Sequence, residues 1–126
     1  MEIFISIASY QDPLLETTIK SAFYQADTPE NLRFGICDQS SFPLDINSIS
    51  FGSQISYEHV EHSLSKGPCW ARSKVQKFFN NETYYLQIDS HMQFEKGWDS
   101  YMLSYFSKIE KEGHEHHQPP IITCYP

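Results

Sequence analysis

The chain has 126 residues, enough to bury the core of one small domain. Hydrophobic residues make up 40% of it and aromatic residues 15%, which excludes a disordered chain. The formal net charge of -7 disfavours nucleic acid as a partner, because an acidic surface repels the phosphate backbone. An anionic ligand would therefore need a local metal ion, a helix N-terminus or a well-placed Arg.

The cellular setting is the next inference from composition. No apolar run approaches the roughly 18 residues that a membrane span needs, and no signal peptide is visible at the start. The three cysteines, Cys37, Cys69 and Cys124, are widely spaced and odd in number. We expect them to be small buried thiols rather than disulfides or a zinc site, in a cytoplasmic protein.

Short β-branched and aromatic runs alternate with segments of helical periodicity along the chain. The predicted strands are 3–8, 32–37, 55–60, 83–88 and 120–124. The predicted helices run from Asp12, as a cap, to about residue 26, from 66 to about 79, and from 97 to about 112. This alternation predicts one α/β domain over residues 1–126, an α/β/α sandwich around a mainly parallel sheet.

Polar side chains follow the predicted strands at the points where the strands end. They are Tyr10, Asp12, Asp38, Gln39, Asp89 and His91. Ligands of such sheets bind beyond the carboxyl ends of the strands, which meet at one edge. We therefore expect these side chains to converge on one site.

The turn Asp89–Ser90–His91 directly follows the strand predicted at 83–88. Alternate residues of a turn can point the same way, so its carboxylate and imidazole could ligate one divalent ion. Oxygen with a single nitrogen suits Mn²⁺ or Mg²⁺, and such an ion can bridge a diphosphate. The alternative is an Asx-type turn with an exposed His.

A second candidate is Arg72, in the first turns of the helix that opens at Gly67 and Pro68. Its guanidinium could hold a phosphate or a carboxylate close to a helix N-terminus. It could instead pair with Asp89 and orient it. The remaining alternative is a solvated surface Arg or a structural ion pair.

Two further residues could contact a nucleotide base. Tyr10, just past the first strand, could stack on a flat base, and Asp38, past the second strand, could accept the imide N–H of uracil. Each has a plain alternative, as a core aromatic and as a turn former.

Several other features receive structural interpretations. The His-rich run at 114–117 lacks the spacing of a zinc site and is interpreted as a solvated loop. Trp98 is predicted to pack the last helix onto the sheet, with Asp99 in its first turn. The sequence has no nucleophile elbow, P-loop or dinucleotide-binding motif.

Four blocks of the sequence resemble a known family. They are residues 4–13, 67–72, 85–94 with 98–99, and 122–126. The chain is similar to the polypeptide α-N-acetylglucosaminyltransferases, whose best-known members modify hydroxyproline in a cytoplasmic protein. The order of helix, strand and Asp-x-His also looks like that of the mucin-type polypeptide GalNAc transferases.

The resemblance implies a GT-A fold, a UDP-sugar donor such as UDP-GlcNAc, a protein or glycan acceptor, Mn²⁺ or Mg²⁺, and retention of anomeric configuration. It also implies a set of donor-binding residues: Ala8, Tyr10, Asp12, Asp38, Arg72 and Asp89. Within this set Tyr10 and Asp38 match a uridine pocket loosely, and Arg72 matches a donor-binding Arg. Asp89 and His91 match the metal-binding pair.

Members of that family continue beyond the position of Pro126, the last residue of this chain. We therefore expect a truncated domain or a short relative, without the acceptor groove and a further metal ligand. A truncated sheet would expose an edge or an apolar face, which favours self-association.

Three classes of function fit the sequence. The leading hypothesis is a metal-dependent glycosyltransferase that transfers GlcNAc to a protein hydroxyl or a glycan. A non-catalytic nucleotide-sugar-binding module would keep the fold but bind the donor weakly. An interaction domain would instead use its aromatic surface on a partner.

Overall fold

A parallel sheet organises the fold. Its strands are β1 (Ile3–Tyr10), β2 (Leu32–Gln39), β3 (Ile55–Val60) and β4 (Tyr84–Ile88). In the computed structural model, which describes residues 1–113 and 119–124, these strands form one sheet in the order β3-β2-β1-β4. All three neighbouring pairs are parallel, as the alternation of elements predicts.

Helices cover both faces of this sheet. They are α1 (Leu15–Gln25), α2 (Pro68–Gln76) and α3 (Trp98–Glu112). On one face α1 buries Ile19 and Ala22 in a core that includes Ile5 of β1. On the other face α2 buries Val75 with Phe4 of β1. Because successive side chains of a strand alternate between faces, β1 serves both cores, and the predicted α/β fold is confirmed.

Element boundaries differ from the prediction by two residues or more in β1, α1, β2 and α2. The strand β1 continues to Tyr10, so the prediction that Tyr10 lies just past this strand is wrong. The helix α1 begins at Leu15 instead of Asp12, because the Asp12 carboxylate accepts the amide of Leu14 and forms a separate turn before the helix. The strand β2 continues to Gln39, since its pairing with β1 extends that far, so Asp38 lies inside the strand. The helix α2 ends at Gln76, earlier than predicted.

The strand predicted at 120–124 is wrong. Residues 119–124 form no regular structure, and Ile121 is 91% exposed. Strand propensity produces a strand only where a neighbouring ladder accepts it, and Pro119 and Pro120 have no N–H to donate. The predicted loop at 114–117 and residues 125–126 lie outside the described part of the chain.

The cysteines are free, and only one is buried. Cys37 lies in β2, where burial raises the pKa of its thiol to about 11. Cys69 and Cys124 are exposed, so the prediction of buried thiols is wrong for them. Cys69 lies on the opposite side of α2 from Ala71, which packs on the sheet. Within residues 1–113 and 119–124, no helix is both long and apolar enough to cross a membrane.

Gly35 in the middle of β2 makes room for the ring of Phe4. A Cβ at Gly35 would lie 2.3 Å from Cζ of Phe4 and 3.0 Å from Cγ1 of Val75. The Phe4 ring also contacts Phe79 and Tyr85, so it has little freedom to move aside. We expect Gly35→Ala to lower the free energy of unfolding by about 1–3 kcal/mol in urea denaturation, since overpacking outweighs the entropic gain of replacing glycine.

A matched control for this variant is available on the neighbouring strand. Ser56 of β3 pairs with Gly35 and is exposed, so Ser56→Ala should change the stability by less than about 0.5 kcal/mol. A Gly35→Ala protein as stable as the Ser56→Ala protein would contradict the close packing at Phe4.

Candidate functional site

The carboxyl ends of β1 and β4 carry the candidate site. Asp12 follows β1, and the turn Asp89–Ser90–His91 follows β4. The two strands are neighbours, with Ile7 opposite Ile88. Side chains that are 79 residues apart in sequence therefore meet, at the contact between Asp12 and His91. The prediction that all six polar side chains converge on one site is wrong, because Asp38 and Gln39 are buried inside β2.

Asp12 contacts both Ser90 and His91. Its Oδ2 accepts a 2.6 Å hydrogen bond from Ser90 Oγ and lies 2.9 Å from His91 Nδ1, while Oδ1 accepts from the Leu14 amide at 2.9 Å. Partial burial acts to raise the pKa of Asp12, but the hydrogen bonds from Ser90, Leu14 and His91 outweigh it and lower the pKa. Asp12 is therefore a carboxylate at neutral pH, and it can only accept hydrogen bonds.

Arg72 reaches the same end of the sheet from α2. Its Nη1 donates to the carbonyl oxygens of Ile88, at 3.0 Å, and Ser6, at 3.3 Å. Its Nη2 lies 3.5 Å from Oδ1 of Asp89, a carboxylate that is 65% exposed. Arg72 itself is only 20% exposed, so the interpretation as a solvated surface Arg is wrong. Of the alternatives, the structure shows the pairing with Asp89.

The loop of residues 89–97 is fastened to α1. Thr18 Oγ1 donates to the carbonyl of Ser90 at 2.7 Å and accepts from the amide of Met92 at 3.0 Å. One turn further along the helix, Ser21 Oγ accepts from the amide of Phe94 at 2.9 Å. The sequence does carry a signal for this role, because Thr18 is a polar residue at a position where helical periodicity predicts core. Sequence reasoning missed it.

The start of α3 continues these attachments. Trp98 Nε1 donates to the carbonyl of Ala22 at 2.8 Å, and the Gly97 amide donates to the carbonyl of Gln25 at 2.7 Å. Gly97 has φ 76°, and a Cβ there would lie 3.2 Å from the Asp27 carboxylate. The prediction that Trp98 packs the last helix onto the core is confirmed, because it is 7% exposed and lies in the core shared with α1.

The residues expected to contact a base lie on different faces of the sheet. Tyr10, 57% exposed, shares a face of β1 with Ala8, which packs beside the α2 core. Asp38 is 3% exposed and shares the face of Ile36, which packs toward α1. The structure therefore brings Ala8 and Tyr10 to the α2 side, and Asp38 to the α1 side.

Asp38 already has a protein partner. Its Oδ2 accepts a 2.6 Å hydrogen bond from the hydroxyl of Tyr57, which in turn accepts from the Leu44 amide at 2.9 Å. Burial, together with the hydrogen bond to Asp38, raises the pKa of the Tyr57 hydroxyl well above its ordinary value. The Tyr57 hydroxyl thus links the Leu44 backbone to Asp38. A base could reach only the second oxygen of this carboxylate.

The residues at the turn fit a divalent cation as a partial ligand set. Asp89 offers an exposed carboxylate and His91 an imidazole whose side chain is 60% exposed. The contact between Asp12 and His91 Nδ1 is the carboxylate–imidazole pairing that orients metal-bound histidines. Among the described residues, no three His, Cys, Asp or Glu side chains lie close enough together to hold a metal. Within the described part of the chain, Asp89 and His91 thus form a set of at most two candidate ligands.

The candidate site is separate from the apolar groove of the molecule. This groove, of about 340 Å³, lies between β4 and α3 and is lined by side chains such as Leu86, Met102, Phe106 and Ile121. Its lining is largely hydrophobic and includes none of the candidate site residues. A charged ligand does not suit such a surface, so the charged cluster at the strand ends is the better candidate.

A parallel sheet with polar groups beyond the carboxyl ends of its strands defines a Rossmann-like α/β protein. A family model described as glycosyltransferase (GlcNAc) matches residues 2–47 and 42–126. The two matches together span nearly the whole chain, and the chain belongs to this glycosyltransferase family. Membership implies a sugar donor and an acceptor. Comparisons with curated proteins and with solved structures gave no match.

Proposed function

We propose that this chain binds UDP-GlcNAc with Mn²⁺, or Mg²⁺, at the carboxyl ends of β1 and β4. The reaction is transfer of GlcNAc, with retention, to a hydroxyl of a protein or a glycan. The observation that carries the proposal is the placement of two polar pairs, Asp89 beside Arg72 and His91 beside Asp12, at the edge where such sheets bind ligands. Family membership supports the reaction class.

In this proposal Asp89 and His91 hold the cation. A divalent ion there would supply positive charge to the diphosphate and so assist the departure of UDP. The guanidinium of Arg72, anchored on the last carbonyl of β4, adds a fixed positive charge next to Asp89. A chain of net charge -7 needs such local positive charge to attract an anionic donor.

The remaining donor contacts are assigned by position. Tyr10 is exposed at the end of β1 and offers its ring to the base, with the small Ala8 beside it on the same face. Asp38 is the weaker candidate for the imide N–H of uracil, because it is buried and Tyr57 already donates to it. No residue is assigned as a general base, since a retaining transferase does not require one from the protein.

The setting proposed for this activity is the cytoplasm. The three free cysteines support it, because secreted domains of this size tend to pair their thiols. The proposed acceptor is a hydroxyl group of a protein or a glycan.

A thermal-shift titration with UDP and Mn²⁺ tests the proposal. At ligand concentrations about 100 times the Kd, we expect about 2.7 kcal/mol of stabilisation, a rise in Tm of roughly 5–10 °C. Asp89→Ala should abolish the rise, because it removes the exposed carboxylate ligand. The exposed Glu110 on α3 offers a control, and Glu110→Gln should respond like the wild type.

Two results would count against the proposal. If the wild-type chain shows no response to UDP with Mn²⁺, the donor site is wrong. If the chain binds UDP with Mn²⁺ but neither hydrolyses nor transfers from UDP-GlcNAc, a non-catalytic binding module is the better description.

A further inference from the structure

We infer that Asp12 is a positioning residue for His91. Its carboxylate holds the imidazole in the form that carries the proton on Nδ1, and it thereby keeps the lone pair of Nε2 available as a metal ligand. The inference rests on the proposed function, because it assigns Asp12 a role at the proposed cation site. This role differs from the direct donor contact that the family resemblance implies for Asp12.

The contacts of Asp12 favour this role over a direct contact with the donor. Oδ1 accepts from the Leu14 amide at 2.9 Å, and Oδ2 accepts from Ser90 Oγ at 2.6 Å while facing His91 Nδ1 at 2.9 Å. Both oxygens are therefore engaged within the protein. The Asp12 side chain is also only 14% exposed, which leaves little of it for a ligand.

The exposure of His91 explains why a fixed partner matters. Its side chain is 60% exposed, so few packing contacts hold the ring in one rotamer. Asp12, held by Leu14 and Ser90, supplies a fixed acceptor at hydrogen-bond distance. An imidazole that donates from Nδ1 to a carboxylate has its unprotonated nitrogen at Nε2. A neutral histidine in water prefers the opposite form, so Asp12 would reverse that preference.

The backbone before Asp12 carries a second, independent observation. Gln11 has φ 48°, in the left-handed region, which a residue with a side chain seldom adopts. Its amide donates to the carbonyl of Gln39 at 2.8 Å, which fixes the turn at the end of β1. Such strain persists where the surroundings impose it, and here it directs the chain so that Asp12 meets the turn after β4.

The chain offers a matched pair of substitutions for the test. Asp45 caps a separate turn in the same way as Asp12, because its Oδ1 accepts from the amide of Asn47 at 3.2 Å. Asp12→Asn and Asp45→Asn therefore make the same chemical change in the same kind of turn. In Asp12→Asn, the side-chain oxygen can keep the Leu14 amide, which leaves the NH₂ group facing His91 Nδ1. His91 Nδ1 must then accept a hydrogen bond from this NH₂ group, so the proton of the imidazole ring moves to Nε2.

The experiment has two readouts. Long-range ¹H–¹⁵N NMR of the metal-free chain, at mildly alkaline pH, reports which ring nitrogen of His91 carries the proton. We expect the Nδ1–H form in the wild type and Asp45→Asn, and the Nε2–H form in Asp12→Asn. Titration of Mn²⁺ in the presence of UDP, followed by electron paramagnetic resonance, should show affinity reduced by about 10- to 100-fold in Asp12→Asn alone.

The outcomes separate this inference from the proposed function. An Nε2–H form of His91 in the wild type, which needs no variant, overturns the inference, and so does unchanged Mn²⁺ affinity in Asp12→Asn. If the wild type has the Nδ1–H form and loses it in Asp12→Asn, but never binds Mn²⁺ with UDP, the proposed function fails. The inference that Asp12 determines which ring nitrogen of His91 carries the proton would still hold.

Discussion

Replacing Asp99 by Asn will lower the free energy of unfolding by about 2–4 kcal/mol. Asp99 is 1% exposed, and its carboxylate accepts from the amides of Asp27, at 2.8 Å, and Thr28, at 2.9 Å, and from the Thr28 hydroxyl at 3.0 Å. The amide side chain of Asn has the same shape as that of Asp, but its NH₂ group would face the N–H and O–H donors of Asp27 and Thr28. The loss is large beside the 5–15 kcal/mol that typically stabilises a domain of this kind.

Urea denaturation at pH 7 measures this loss. Glu110→Gln, at an exposed position on the same helix, removes one carboxylate without removing such contacts, and it should cost less than about 0.5 kcal/mol. Equal stabilities of the two variants would contradict the assigned role of Asp99, which is to join the start of α3 to the turn after α1.

The effect of Asp99 should depend on pH in a definite direction. Burial acts to raise its pKa, but the amides of Asp27, Thr28 and Ser100 and the Thr28 hydroxyl outweigh burial and lower the pKa. The folded pKa is thus below the unfolded value of about 3.9, so the stabilisation is complete above that value. It is lost as the pH falls through the folded pKa. The difference in the free energy of unfolding between the wild type and Asp99→Asn should therefore be constant above about pH 6 and become smaller below about pH 4.

At the proposed donor site, we expect Arg72→Leu to weaken the binding of UDP with Mn²⁺ by about 10- to 100-fold. Contacts to Asp89 and to the carbonyls of Ser6 and Ile88 hold the guanidinium in place. One charge-assisted contact from it to the diphosphate would contribute about 1.5–3 kcal/mol, which corresponds to this loss of affinity. Arg72→Lys should recover only part of the affinity, because an ammonium group cannot reproduce the planar fork of donors. Isothermal titration with UDP at fixed Mn²⁺ measures both variants.

Lys74 provides the control for Arg72. It lies on the same helix and pairs with Glu58 at 3.0 Å, so Lys74→Leu removes the same charge and also breaks an ion pair. Its affinity for UDP with Mn²⁺ should stay within about threefold of the wild type, since a long-range charge effect is screened by salt. If Arg72→Leu binds as tightly as Lys74→Leu, then Arg72 serves only to hold the strand ends.

Local sequence patterns were sufficient for the strands and helices that lie between clear turns. The strand β3 occupies the predicted residues 55–60, and β4 differs from its prediction by one residue. Local sequence patterns failed where pairing with a neighbouring strand decides whether a segment becomes a strand. The strand β2 runs on through Asp38 because β1 continues beside it, and 120–124 is not a strand although its residues favour one.

The site was predictable in its location but not in its contacts. The expectation that polar side chains at the strand ends converge follows from the rule for parallel sheets. It holds for Asp12 and His91 but not for Asp38 and Gln39, which are buried inside β2. Their partners depend on the strand order, which places β4 beside β1 and so brings Asp12 next to His91. No local pattern encodes that order. The polar Thr18 at a core position of α1 indicated a buried contact, but its partners in the 89–97 loop and the contact of Asp12 with His91 follow only from the three-dimensional structure.

The attachment of the 89–97 loop to α1 has a consequence for how the protein folds. The hydrogen bonds between Thr18 and Ser90, between Ser21 and Phe94, and between Ala22 and Trp98 join residues that are 72, 73 and 76 positions apart in the sequence. Contacts between residues so far apart in sequence form slowly, so we expect the turn of the candidate site to be completed late in folding. A molecule that binds this turn would therefore slow the unfolding of the whole domain, because the turn is folded only when the domain is folded.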